Sequence, residues 1–320
     1  MKGTVLRNER CSHTVSGKEK ICFRSKGGFK KMNILEVEGL TKRYPAFTLD
    51  SVSFNVPEGS VTGFIGRNGA GKSTTIKSVL DLVHPDSGRV TFSGKDFLGH
   101  EREIKQEIGY VASGAFFYPN KSLKAVAGVT KRFYRNWDDE LYIRYMKKFA
   151  LDENKTQAQL SEGMKIKFSL TLALSHHAGL LILDEPTSGL DPISRDELLD
   201  IFMELSREGT TIFFSTHITS DLEKCADRII YISKGKISAD DTLEGFTGSY
   251  RTVHLTDEDY KTLADSPELM GCKRAKQGYS AVVRSENAGT LPVISSPADL
   301  ETIMIHLEKQ SGDTEQSPQT

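Results

Sequence analysis

The 320 residues allow one large domain and a smaller one, and 38% of them are hydrophobic, enough for a buried core. A formal net charge of -1, from 42 Lys and Arg against 43 Asp and Glu, argues against a protein held to nucleic acid or a membrane surface by bulk charge. No apolar run reaches the roughly 18 residues of a membrane helix; the longest candidate, 170–183, is interrupted by Ser175, His176, His177 and Gly179.

The first 31 residues carry nine Lys or Arg against two Glu and little apolar periodicity. They predict a disordered basic extension, with Met32 as the natural start and a targeting or nucleic-acid arm as the alternative. The cysteines, Cys11, Cys22, Cys225 and Cys272, have no metal-type spacing and follow no secretory signal, which predicts a reducing compartment; a Cys11–Cys22 disulfide is the alternative.

From Ile34, apolar residues at 34, 35 and 37 and at 49, 52, 54 and 56 predict short strands bounded by Pro45 and by the 57–59 turn. Tyr44 precedes the next motif by about twenty residues; an exposed aromatic there can stack on adenine, and packing on its own strand is the competing role. Residues 60–65 read as a buried strand, followed by Gly66-Arg67-Asn68-Gly69-Ala70-Gly71-Lys72-Ser73-Thr74. Ile76, Val79, Leu80 and Val83 then mark a helix. Strand, G-x-x-x-x-G-K-S loop and helix in that order form a phosphate-binding loop. The glycines let backbone N–H groups close around a polyphosphate and the helix aims its positive end at it. Lys72 reaches the β- and γ-phosphates, and the Ser73 hydroxyl suits Mg2+.

Turns at 85–88 and 93–96 flank a strand near 89–92, and another is predicted at 108–111. Residues 121–160 carry helix formers and aromatics, predicting a helical insertion with its own small core. Ser161 caps a helix running to about 175 with Ile166, Leu170 and Leu174 on one side; His176 and His177 read as its solvated end. The apolar run 180–183 ends in Asp184-Glu185, as a buried parallel strand does where such sheets bind ligands. A 186–192 loop, a 196–205 helix and a 210–215 strand ending at His217 follow, then a short helix at 221–226 and a hairpin over 229–239. Beyond 247, strand-like (253–255, 280–283, 292–294) and helical (257–264, 298–309) stretches predict a small α+β domain to about 310, and 311–320 a disordered tail.

The phosphate loop, the L-S-x-G helix start, the I-L-D-E strand, the S-G-L-D loop and the histidine ending the next strand, all in order over about 34–246, resemble an ABC-type ATPase. The L-S-E-G-M-K wording is similar to the ATP-binding subunit of a bacterial ABC-2-type exporter, and so is the 297–307 ending. The resemblance implies an α/β P-loop NTPase fold over 32–246: a mixed sheet flanked by helices, an antiparallel β subdomain and a helical subdomain at about 114–178. It implies ATP and Mg2+, the ion positioned by Asp184 with Ser73. It implies Glu185 as the residue that polarises water, Lys72 and His217 on the γ-phosphate, and Tyr44 on adenine. Ser161, Gly163 and Asp191 are implied to reach nucleotide held by a second subunit, so that the active unit is a head-to-tail homodimer or heterodimer. A separate polytopic membrane subunit, no nucleic acid, and a place at the cytoplasmic face of the membrane are implied as well, with a groove near Phe116, Phe117 and Tyr118 as the contact; local packing is the other role of those aromatics. A soluble ABC ATPase acting on nucleic acid or ribosomes is the alternative function.

Two residues depart from the pattern. Ser113 lies where the family carries a glutamine that touches the metal and is implied as a shorter, weaker metal ligand, with water filling the gap, and Glu162 replaces a small residue of the signature. Glu162 is expected to point outward, since an inward carboxylate would repel the nucleotide.

Overall fold

The computed structural model describes residues 10–15, 18–25, 28–29, 32–112 and 118–313. Short apolar runs build the central sheet, in the order Lys236–Thr242, Arg228–Ser233, Val61–Ile65, Thr211–Thr216, Leu180–Asp184, Ile108–Ala112. The last five run parallel and Lys236–Thr242 pairs antiparallel to its neighbour. Three inner strands, Val61–Ile65, Thr211–Thr216 and Leu180–Asp184, are buried at every position, which is why their sequences show no alternation. Helix Pro192–Arg207 packs Leu198, Leu199, Phe202 and Leu205 into the core.

A second, antiparallel sheet follows the order Phe47–Pro57, Asn33–Tyr44, Ser87–Phe92, Lys95–Asp96. Its first two strands are longer than predicted, at 11 and 12 residues. Pro45 sits in the tight turn between paired Tyr44 and Phe47, and register shifts absorb the uneven apolar spacing. Phe54, from this sheet, meets Phe64 and Phe213 of the central sheet at centroid distances of 5.7 and 5.5 Å, joining the two layers.

Helices Leu123–Thr130, Asp139–Lys148 and Glu162–Leu174 form the helical region. Its expected private core does not exist: Tyr142, Tyr145, Phe149 and Phe168 belong to one apolar cluster with Leu181 and Phe202. Nor is His176 solvated. It is buried, stacked on Tyr134 at 3.7 Å, with Nδ1 3.1 Å from the Gln106 carbonyl, and burial pushes its pKa down from 6.5 to about 4. Helix periodicity shows neither Tyr134 nor Gln106 arriving beside it. His177 does lie exposed, its Nε2 3.4 Å from Asp138.

The C-terminal sheet has the order Met270–Arg274, Tyr279–Arg284, Tyr250–Leu255, Ser295–Pro297. The strand expected at 292–294 falls at Ser295–Pro297, where residues 295–297 bond the ladder of Tyr250–Leu255. A small core of Val253, Leu255, Ala281 and Val283 covers one face. Helix Leu300–Asp313 instead sends Leu300, Ile303 and Met304 into the main cluster. Disorder was also expected for 1–31 and from 311. Within the first stretch, Arg10–Val15 and Lys18–Ser25 pair as an antiparallel ladder. The last helix continues to Asp313. Residues 314–320, Ser113, Phe116 and Phe117 lie outside the described residues. Among those described, no helix is long and apolar enough to cross a membrane.

Candidate functional site

The phosphate loop leaves the buried strand Val61–Ile65 and enters helix Lys72–Val79. Two glycines show why no other residue serves. Gly71 has φ +113°, and a Cβ on it would lie 2.9 Å from the Phe47 ring; a Cβ on Gly66 would lie 2.3 Å from the Ile232 carbonyl. Arg67, Asn68 and Gly69 are exposed at the tip, Ala70 is buried, and Ser73 and Thr74 are half-buried. The Gly235 N–H donates to the Ala70 carbonyl at 3.0 Å, so the hairpin turn at 233–236 braces the loop.

Lys72 is buried. Its Nζ donates to the Gly66 and Arg67 carbonyls at 2.6 and 3.2 Å and lies 3.1 Å from Glu185 Oε1. The other oxygen of Glu185 is 2.8 Å from His217 Nδ1. Lys72, Glu185 and His217 therefore form one chain of contacts. Ser73 Oγ donates to Asp184 Oδ1 at 3.0 Å, tying the first helix to the acidic strand end. Glu185 holds φ at +52°, a left-handed backbone that a side-chain-bearing residue adopts at a cost of about 1–3 kcal/mol.

Sequence reasoning missed the residues that hold this edge. Ser215, in register with Asp184, donates its Oγ to Asp184 Oδ1 at 2.7 Å and accepts the Glu185 N–H at 2.9 Å. Asp221, 0% exposed, accepts from Thr187 Oγ1 at 2.6 Å and Thr216 Oγ1 at 3.3 Å, and lies 2.6 Å from Arg195 Nε. It thus joins the loop after Glu185, the residue before His217 and the helix after Asp191. A charged residue four places after His217 was the one sequence signal. The Tyr110 hydroxyl is pushed up to about 12, chiefly by burial and then by the Asp184 charge.

The remaining candidates take no part in that chain of contacts; Gly163 and Asp191 meet at Ser194, while Tyr44 stands on the antiparallel sheet. Tyr44 is 41% exposed at a strand end, with Lys42 Nζ of the same strand 6.0 Å from its ring centroid. Ser161 is exposed and caps its helix, Oγ accepting from Met164 N–H at 3.3 Å. Gly163, just inside the helix, faces Ser194: a Cβ there would lie 3.4 Å from that side chain. Asp191 caps the next helix, accepting from the Ile193 and Ser194 N–H groups at 3.1 and 3.0 Å, and its bonds to Ser194 hold its carboxyl below the usual range. Glu162 is exposed and pairs with Lys165 at 2.6 Å, as expected of an outward residue.

A phosphate loop, two acids at a buried strand's end and a histidine on the neighbouring strand, all at the carboxyl edge of a parallel sheet, define a P-loop nucleoside triphosphatase. The ABC transporter family model matches residues 49–188. The bacitracin transport ATP-binding protein BcrA of Bacillus licheniformis is 34% identical over 241 residues, 70% of this chain and 76% of that protein. The chain belongs to the ABC transporter family, as an ATP-binding protein that hydrolyses ATP. The lantibiotic transport ATP-binding protein SrtF of Streptococcus pyogenes is also 34% identical, over 66% of this chain and 92% of its own length. A solved ATP-binding subunit of an ABC transporter superposes with a TM-score of 0.60 at 30% identity, covering 66% of this chain and 91% of that one.

Proposed function

We propose that this ATPase is the motor subunit of an exporter, working as a head-to-tail pair on a separate polytopic membrane chain at the cytoplasmic face. One observation carries the reading. Lys72, Glu185 and His217 meet at the sheet edge, while Ser161 is an exposed helix tip. Each chain thus offers a phosphate cradle and, separately, a helix end suited to cap phosphate held by another chain.

Incoming triphosphate draws Lys72 away from Glu185, because its charge outweighs one carboxylate. Glu185 is then available to orient and polarise the attacking water, and His217, already bonded to it, reaches the γ-phosphate. Asp191 and Gly163 complete the facing half-site, and Tyr44 takes the adenine. The hydroxyl of Ser73 and the carboxylate of Asp184, 3.0 Å apart, are hard oxygen donors that fit magnesium. Bound there, the ion would neutralise charge on the β- and γ-phosphates. Relatives named for bacitracin and lantibiotic transport favour a peptide-like cargo.

Size exclusion of Glu185→Gln with ATP and magnesium tests the pairing: a dimer that forms only with nucleotide is expected, and persistent monomers sink it. Copurification from membranes tests the coupling, which fails if no polytopic chain accompanies the protein.

A further inference from the structure

The site described so far uses nothing from the C-terminal domain, yet its helix Leu300–Asp313 reaches the phosphate loop. At its start, the Leu300 N–H donates to Glu223 Oε1 at 3.0 Å, and Glu223 lies in helix Thr219–Cys225, just after His217. Further along, Glu308 Oε1 accepts from the Tyr231 hydroxyl at 2.6 Å. Tyr231 is 2% exposed and stands in register with Ile65, the last strand residue before the loop. The other oxygen, Oε2, lies 3.9 Å from Arg67 Nη1. Arg67 belongs to the loop itself, and its side chain is 75% exposed against 15% for Glu308. Between helix and loop opens a cleft of about 1060 Å³ whose walls include Arg67, Asn68, His217, Ile305 and Glu308.

One partner is anchored and the other is exposed. The buried tyrosine and the packed helix pin the Glu308 carboxylate, whereas Arg67 is a long side chain at the loop tip. A pair at this distance and exposure is weak, so a triphosphate can outcompete it.

We propose that Glu308 is a positioning residue for the ATPase: anchored by Tyr231, it draws Arg67 away from the nucleotide, so that the C-terminal domain sets ATP affinity through the phosphate loop. This rests on the nucleotide site proposed above. Displacing the helix, by whatever binds the C-terminal domain, releases Arg67 and tightens nucleotide binding.

The test is steady-state hydrolysis by the full chain with ATP and magnesium, for Glu308→Gln, Arg67→Ala and the double variant. Gln keeps an acceptor for Tyr231 and removes only the charge. The expected result is a KM for ATP lowered about two- to five-fold, the scale of an exposed ion pair, with kcat changed less than that. In the Arg67→Ala background the Glu308→Gln effect should vanish. A raised KM, a change confined to kcat, or an equal effect with and without Arg67 overturns the proposal. Thermal unfolding of each variant identifies one that fails to fold, and Tyr231→Phe, which loosens Glu308 and leaves its charge, should then lower KM in the same direction; no fall in KM overturns the proposal. Hydrolysis by the unaltered chain that Glu185→Gln abolishes reports on the site itself, independently of either ratio.

Discussion

The carboxyl edge of the parallel sheet and the helical region that carries Ser161 are built on opposite principles. At the edge, Lys72, Ser73, Asp184, Glu185, Ser215 and His217 bond one another over distances of 2.7 to 3.1 Å, and buried Asp221 ties together the segments that present them. At the tip of Glu162–Leu174, Ser161 and Glu162 are exposed and bond only locally, to Met164 and Lys165. The difference teaches which half can be preformed. In the proposed roles, groups that move protons and phosphates need fixed geometry before substrate arrives, whereas a helix end proposed to cap another chain's phosphate needs only to be presented.

Four changes press on that contrast, strongest first. Glu185→Gln, at the edge, should lower kcat by about 10²- to 10⁴-fold, the range for a lost general base, without loss of ATP binding; an equilibrium nucleotide titration beside turnover checks both. Asp221→Ala should destabilise the chain by about 1–3 kcal/mol, as expected when the buried Thr187 and Thr216 hydroxyls lose their acceptor. A denaturant midpoint that barely moves would show that the edge does not depend on this network. Where the two regions join, buried His176 makes stability depend on pH. Its folded pKa lies below the unfolded one, so as pH falls through that window the unfolded chain takes up a proton that the folded chain refuses. Stability should therefore decline from about pH 6.5 to about pH 4, by about 3 kcal/mol in all, and His176→Phe, which keeps a ring against Tyr134, should flatten the decline. At the tip, Gly163→Asp should slow hydrolysis about tenfold by setting a carboxylate where phosphate is to be met. It should leave ATP affinity of the monomer unchanged; loss of monomer binding would mean that the tip serves its own chain.

The parts of this arrangement that lie along the chain were legible before folding. Gly66 to Thr74, Asp184-Glu185 and His217 announce themselves because each is a short local run, a loop or a strand end, whose residue types alone suggest phosphate chemistry. The supporting residues were not, because they depend on lateral neighbours. Ser215 matters through its register with Asp184, and a single strand does not reveal its register. His176 was misjudged for a similar reason: Tyr134 and Gln106 come from elsewhere. Tyr142, Tyr145 and Phe149 of the helical aromatics do pack, while Phe133 is exposed, and sequence did not show that their core would merge with that of the sheet. Glu308 is about 240 residues from the loop it touches, and nothing local marks it.

The left-handed backbone of Glu185 has an implication for how this protein can be improved. Glycine would relax that peptide, so a search for hardier variants by thermal challenge alone would drift toward Gly at 185 and discard the carboxylate along the way. With Glu185 in its proposed role, durability and turnover are opposed at this residue, and selection schemes for the enzyme have to score both.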